Sequence, residues 1–309
     1  MHWLCDRTRW TLLACLALLP CWTACAARSE VNRLGTSLAI QGQQVCDAAL
    51  QGYRALDEHQ RTDERQQELV RILTHPQPDA LQPRNRPNAP GFDEQIRVRE
   101  RAFRKLREAY LHLQRLSGDE TGAGVEQASR SVLESAQALQ GVAGISSQLT
   151  ERISELSGRL AESLKARHVR RRNAAFPELL RAYRQLWEAD LPIWRDYLDR
   201  VQTDFADGLA SVPSNRFDSK QLTKILKEPF AVEVQVALYK RDLRFRSAQQ
   251  AKQLRDRLEA VSGALRALES AHLELSKQKP SVTEALQTLA LAGGILEDIR
   301  NLNQKEEER

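Results

Sequence analysis

Apolar residues recur along this chain at steps of three, four and seven, the period of a helix buried along one stripe. Val31, Leu34, Leu38, Val45, Ala49, Tyr53 and Leu56 mark a first helix over residues 30–75, with Leu69, Ile72 and Leu73 in its second half. The polar stretch at 57–64 reads as a turn or a solvated face. Pro76, Pro78, Pro83, Pro87 and Pro90 then exclude a helix, so residues 76–92 form a proline-rich loop. Asp93 is placed to cap a second helix, striped by Ile96, Phe103, Leu106, Tyr110 and Leu113. After a turn at 117–124 comes the longest periodic run, from Val125 through Val132, Leu139, Leu149, Ile153 and Leu160 to Leu164. Uninterrupted, its roughly 45 residues would make a rod about 65–70 Å long. Gly141 and Gly144 weaken it, each by about 1 kcal/mol relative to alanine.

A fourth helix is expected over residues 174–208, with Pro177 in its first turn and a kink at Pro192. Asp218 and Gln221 form a capping box for a short helix ending before Pro229. Residues 230–277 follow Leu254, Leu258, Val261, Leu265 and Leu268 as a helix. Val232, Val234 and Val236 alternate like a strand, but no second strand signal exists to pair with them. Ser281 and Glu284 open a last helix to about Asn303, whose apolar run over 286–296 is too short to span a bilayer. These elements predict an all-α fold: an elongated antiparallel bundle of about six helices, several long and coiled-coil-like. Residues 93–309 form the bundle, and 25–75 join it as one domain.

Composition agrees, with 28% charged and only 6% aromatic residues. A net charge of +5 over 309 residues is mild and does not call for a nucleic-acid partner.

The N-terminus changes the picture. Arg7 and Arg9 precede an almost wholly apolar run over residues 10–19, and Trp22, Thr23, Ala24 and Cys25 close the segment. This is the anatomy of a secretory signal over residues 1–24, outside the fold proper. Its ending resembles the lipobox of bacterial lipoproteins, in which a small residue precedes the acylated cysteine. The resemblance covers only these first residues. It implies that Cys25 becomes the lipid-bearing first residue, tethering the chain to a membrane, with Ala26 rather than aspartate favouring the outer membrane. Three other readings stand beside it. Ala24, Cys25 and Ala26 also make a site for cleavage before Ala27, Leu18 to Cys21 is a second lipobox-like run, and residues 10–27 carry no charge and could stay as an anchor.

With Cys5, Cys15 and Cys21 in the signal, Cys46 is the lone thiol beyond Cys25. It would be buried on a helix face, or joined to Cys25, or would link two chains as a homodimer.

Candidate chemistry is sparse. No zinc, haem, P-loop or hydrolase signature occurs, so neither cofactor nor metal nor catalytic residue is expected. Glu269 and His272 make a single Glu-x-x-His pair, where a di-iron bundle needs two, and read as a surface pair, as do Glu108 and His112. Two clusters remain. Arg167, His168, Arg170, Arg171 and Arg172 sit where the third helix should end, to grip an anionic ligand or to complement the helix dipole. Tyr183, Trp187, Trp194 and Tyr197 share a face of helix four, as core or as an apolar ligand patch. The expected function is a non-enzymatic, lipid-anchored envelope scaffold, spacer or adaptor, meeting an envelope protein or wall partner. The alternative is a lipid- or amphiphile-binding module built on the two clusters.

Overall fold

The computed structural model describes residues 4–74, 92–116, 122–140, 142, 151, 169–227, 231–276 and 282–307; side chains before Arg33, and at several helix ends, lie outside that description. The described residues form seven α-helices and one 3-10 turn, with no strand among them. They are α1 (Leu4–Thr74), α2 (Phe92–Leu116), α3 (Gly122–Gln140), α4 (Val169–Ser211), the turn Ser214–Arg216, α5 (Ser219–Leu226), α6 (Val232–Ser276) and α7 (Val282–Glu307). The all-α bundle expected from the periodicity is what forms.

Helix α1 runs unbroken through the polar stretch at 57–64, which is a face rather than a turn, and stops two residues before Pro76. Helix α6 includes Val232, Val234 and Val236, so the alternation there does not make a strand. Helix α2 begins at Phe92, which puts Asp93 inside the first turn, where its charge suits the helix dipole. Asp218 does cap α5, its carboxylate accepting from the Lys220 N–H at 2.9 Å. Pro192 is exposed on α4, where solvent can take the Glu188 carbonyl that its missing N–H leaves free.

The third helix departs from expectation. It ends at Gln140, and Val142 is non-helical with its N–H on the Leu139 carbonyl at 3.1 Å. Val142, beside the helix-weakening Gly141, interrupts the expected rod, and the stripe from Leu149 to Leu164 lies outside the described residues. Among the described residues the long helices are α1, α4 and α6, with 71, 43 and 45 residues.

Cross-helix contacts give the directions. Helix α2 is antiparallel to α1: Arg107 pairs with Asp47 at 2.7 Å, and Phe103 packs on Tyr53. Helix α4 runs parallel to α1, since Trp187 meets Tyr53 and, further on, Gly208 abuts Val70. Helix α6 returns antiparallel to α4, its Leu258 carbonyl accepting from Trp187 Nε1 at 2.9 Å, and α7 folds back along α6. One continuous core results, from Leu34 and Leu296 to Leu198 and Leu254. Beyond that level, among the described residues, the ends of α1 and α4, helix α5 and the start of α6 continue as a thinner distal tip around Phe205, Leu209, Leu222 and Val236.

Two glycines set opposite limits. Gly42 lies under the Tyr110 ring, which a Cβ would overlap, while Gly294 on α7 faces open space. Gly42→Ala is expected to cost about 1–3 kcal/mol by forcing the ring aside. Gly294→Ala should gain up to about 1 kcal/mol of helix propensity. Urea unfolding midpoints of the two variants check both signs.

Candidate functional site

The aromatic residues of α4 are core. Tyr183 and Trp187 are fully buried, Trp194 nearly so, and Tyr197 is half-buried. Trp187 and Trp194 meet edge to face, and Tyr53 of α1 packs edge-on against both. Phe103 of α2 closes the cluster against Trp187 and Tyr183. Tyr197 stacks on Phe92 with ring centroids 4.9 Å apart. The same face thus supplies the centre of the bundle and is not an open ligand patch.

The basic cluster is divided. Arg167 and His168 lie outside the described residues, and Arg170, Arg171 and Arg172 fall in the first turn of α4. Their side chains, and the residues just before Val169, lie outside that description as well. Cys46 is a free, fully buried thiol on α1, and burial pushes its pKa well up, helped by neighbouring Asp47. Bonding to a second chain would require the bundle to open around it. The expected lipid-bearing Cys25 falls within α1, in the part whose side chains are not described.

Charges that the sequence reading passed over are built into the core. Arg99 of α2 and Asp190 of α4 are 3% and 4% exposed and form a bidentate pair: Nη2 donates to Oδ1 at 2.7 Å and Nε donates to Oδ2. Burial pushes the Asp190 carboxyl up while Arg99 opposes that shift, and the bidentate guanidinium keeps it ionised at neutral pH. A signal for the pair was present. Arg99 stands at the core position between Ile96 and Phe103, and Asp190 between Trp187 and Trp194. Two opposite charges on facing apolar stripes imply a partnership.

Glu269 of α6 is also buried, and it accepts from Arg181 Nε at 2.8 Å and Arg184 Nε at 2.6 Å. Arg184 and Arg266 both reach Glu188, completing a lattice between α4 and α6. His272 stacks on Phe176 at 4.8 Å and lies 3.1 Å from the Tyr110 hydroxyl. Glu269 and His272 are therefore not a surface pair. Their i, i+3 spacing places them side by side, but Glu269 is held by arginines of α4 while His272 lies between Phe176 of α4 and Tyr110 of α2. Glu108 stays near the surface, paired with Lys105 at 2.7 Å. Among the described residues no group of three or more His, Cys, Asp or Glu is arranged to hold a metal ion.

Two buried tyrosines show how differently a hydroxyl can sit here. Tyr183 Oη lies 2.7 Å from the Ala102 carbonyl and 2.8 Å from Ser135 Oγ, tying α4 to α2 and α3. Tyr53 Oη is buried with no hydrogen-bond partner, and burial, then the Asp190 charge, raises its pKa well above the usual phenol value. Tyr183→Phe is expected to cost about 1–2 kcal/mol, and Tyr53→Phe to be neutral or to gain about 1 kcal/mol. Equilibrium urea denaturation of both variants is the check.

Chemically, these groups join helices: each charged cluster links two elements, and the arrangement does not converge on an open cleft. Among the described residues no helix is long and apolar enough to cross a membrane. No protein-family model, curated protein or solved structure matches this chain.

Proposed function

We propose that this is a non-enzymatic, lipid-anchored protein of the bacterial cell envelope, acting as a helical scaffold, spacer or adaptor. The observation that carries the reading is the lipobox-like ending at Trp22, Thr23, Ala24 and Cys25, which leads straight into the bundle. Cys25 and Leu34, the first buried core residue among the described side chains, belong to one helix, nine residues apart. At about 1.5 Å per residue the lipid would sit about 14 Å below the core, and α1 would carry the far end a further 60 Å away. A short helical tether and a long rigid body suit a protein that holds a surface at a set distance. Stable attachment needs more than one acyl chain, which lipidation of an N-terminal cysteine supplies. The non-enzymatic part rests on Arg99, Asp190 and Glu269, whose charges are used in joining helices. A protein or cell-wall partner meeting the surface of the long helices would complete the role.

The test is the intact mass of the mature protein extracted from membranes, before and after reduction. A chain that begins at Cys25 and carries lipid supports the proposal. A lipid-free chain beginning at Ala27 replaces it with a soluble exported bundle.

A further inference from the structure

We propose that the distal tip docks on an anionic phospholipid surface. Exposed apolar side chains concentrate there. Leu69, Ile72, Ile225, Val232, Val234 and Phe245 are six of the ten large hydrophobics exposed among the described residues, and Phe245 is 66% exposed. Charge concentrates there too. Residues 212–246 hold eight Lys and Arg against four Asp and Glu, an excess of four in a chain whose whole excess is five.

Part of that charge is structural. Lys240 donates to the Val212 carbonyl at 2.5 Å and Arg244 to the Ala206 carbonyl at 3.0 Å, closing the C-terminal end of α4, and Arg246 pairs with Asp242 at 2.8 Å. The rest points outward. Arg216, Lys220, Lys224, Lys227 and Arg241 are exposed, with no acidic partner among the described residues. Lys220, Lys224 and Lys227 recur at four and three, and share a face of α5 and its cap. Val234, Arg241 and Phe245 recur at seven and four, and share a face of α6, against which α5 packs. A short basic helix packed on a helix that exposes a phenylalanine and a valine suits a bilayer interface, where lysine stems and apolar rings enter the headgroup layer and ammonium groups meet phosphates. A soluble polyanion would use the cations and leave Phe245 and Ile225 in water; the membrane accounts for both.

The tip begins where Val70 meets Gly208, about 45 residues and roughly 68 Å along α1 from Cys25. Docking there is separate from any lipid at the other end and does not rest on acylation.

The experiment is co-sedimentation of the full chain with vesicles of phosphatidylglycerol or of phosphatidylcholine, for the wild type, the variant K220E/K224E/K227E/R241E, and Phe245→Ala. Attachment through the N-terminal segment is common to all three proteins; phosphatidylcholine vesicles measure it, and the tip is read as the excess binding to phosphatidylglycerol at vesicle concentrations where neither is saturated. All five altered side chains are exposed, and unchanged circular dichroism and melting confirm that each variant folds. Wild type is expected to prefer phosphatidylglycerol. Charge reversal should weaken that binding on the order of a hundredfold, and Phe245→Ala about tenfold. Equal partition of wild type and the charge-reversed variant onto phosphatidylglycerol overturns the proposal. So does unchanged binding by Phe245→Ala, which would leave only a charged surface that any polyanion satisfies; binding of wild type to a short DNA duplex as tight as to vesicles would identify that case.

Discussion

Replacing Arg99 by methionine is expected to remove about 3–5 kcal/mol of stability at neutral pH, seen as a lower urea midpoint with an unchanged slope. The loss is not the worth of the ion pair. Arg99 and Asp190 both gave up water to enter the core, and their bidentate contact offsets most of that cost without a large surplus. Removing the guanidinium leaves Asp190 as a lone carboxylate among Trp187, Trp194 and Tyr53, whose hydroxyl has no partner of its own. The carboxyl must then take up a proton to remain buried. Arg99→Met should therefore lose least at acidic pH, because an acid whose folded pKa is raised stabilises the fold at low pH and loses that contribution as pH rises through the folded value. The double variant R99M/D190L tests the account directly. With both charges gone it should recover most of the loss or exceed the wild type, and the two single changes should be far from additive. A cost below about 1 kcal/mol for Arg99→Met would mean that solvent reaches the pair.

This pair also shows what could be read from the chain and what could not. The stripes of α1, α2, α4 and α6 were legible because helix burial follows a fixed period: Leu34, Tyr53, Phe103, Trp187 and Leu258 are all buried as that period requires. Val232 and Val234 resolved as helix because a lone alternating segment has no partner strand. Helix α3 ends at Gln140, short of where its apolar period alone would carry it, at a glycine that helix propensity already disfavours. Buried polar groups were harder. Arg99 and Asp190 are 91 residues apart, and each alone looks like an error in an apolar stripe until the facing helix is known. His272 and Glu269 seemed solvated because a helical wheel shows spacing but not which neighbours cover the face.

His272 gives the second large effect, a loss of stability on acidification. Burial lowers its pKa to about 3, from an ordinary value near 6.5. Neutral groups surround it. Tyr110 of α2 faces it with a phenol whose pKa burial pushes well up, so a neutral hydroxyl and a neutral imidazole share the hydrogen bond at Nε2. Phe176 of α4 stacks on the ring, Cys46 of α1 is a buried thiol close to Tyr110, and α7 lines the core with Ala285 and Leu289. The carboxylate nearest in sequence on α6, Glu269, is already held by Arg181 and Arg184. The sign follows from proton counting. Between pH 6.5 and about 3 the unfolded chain binds a proton on this histidine and the native bundle does not. Stability therefore falls as pH drops through that window and levels off below it. The full shift corresponds to up to about 5 kcal/mol, less to the extent that the edge of the residue meets solvent. Other groups titrate as well, and Asp190 contributes in the opposite sense through its raised pKa. His272→Phe separates them, keeping a ring against Phe176 while removing the titration. Its cost at neutral pH should be about 1–2 kcal/mol for the unpaired Tyr110 hydroxyl. Below pH 6 the wild type should lose stability faster than the variant, so that the two curves converge or cross by about pH 4. Parallel curves over that range would mean that His272 is protonated inside the folded bundle.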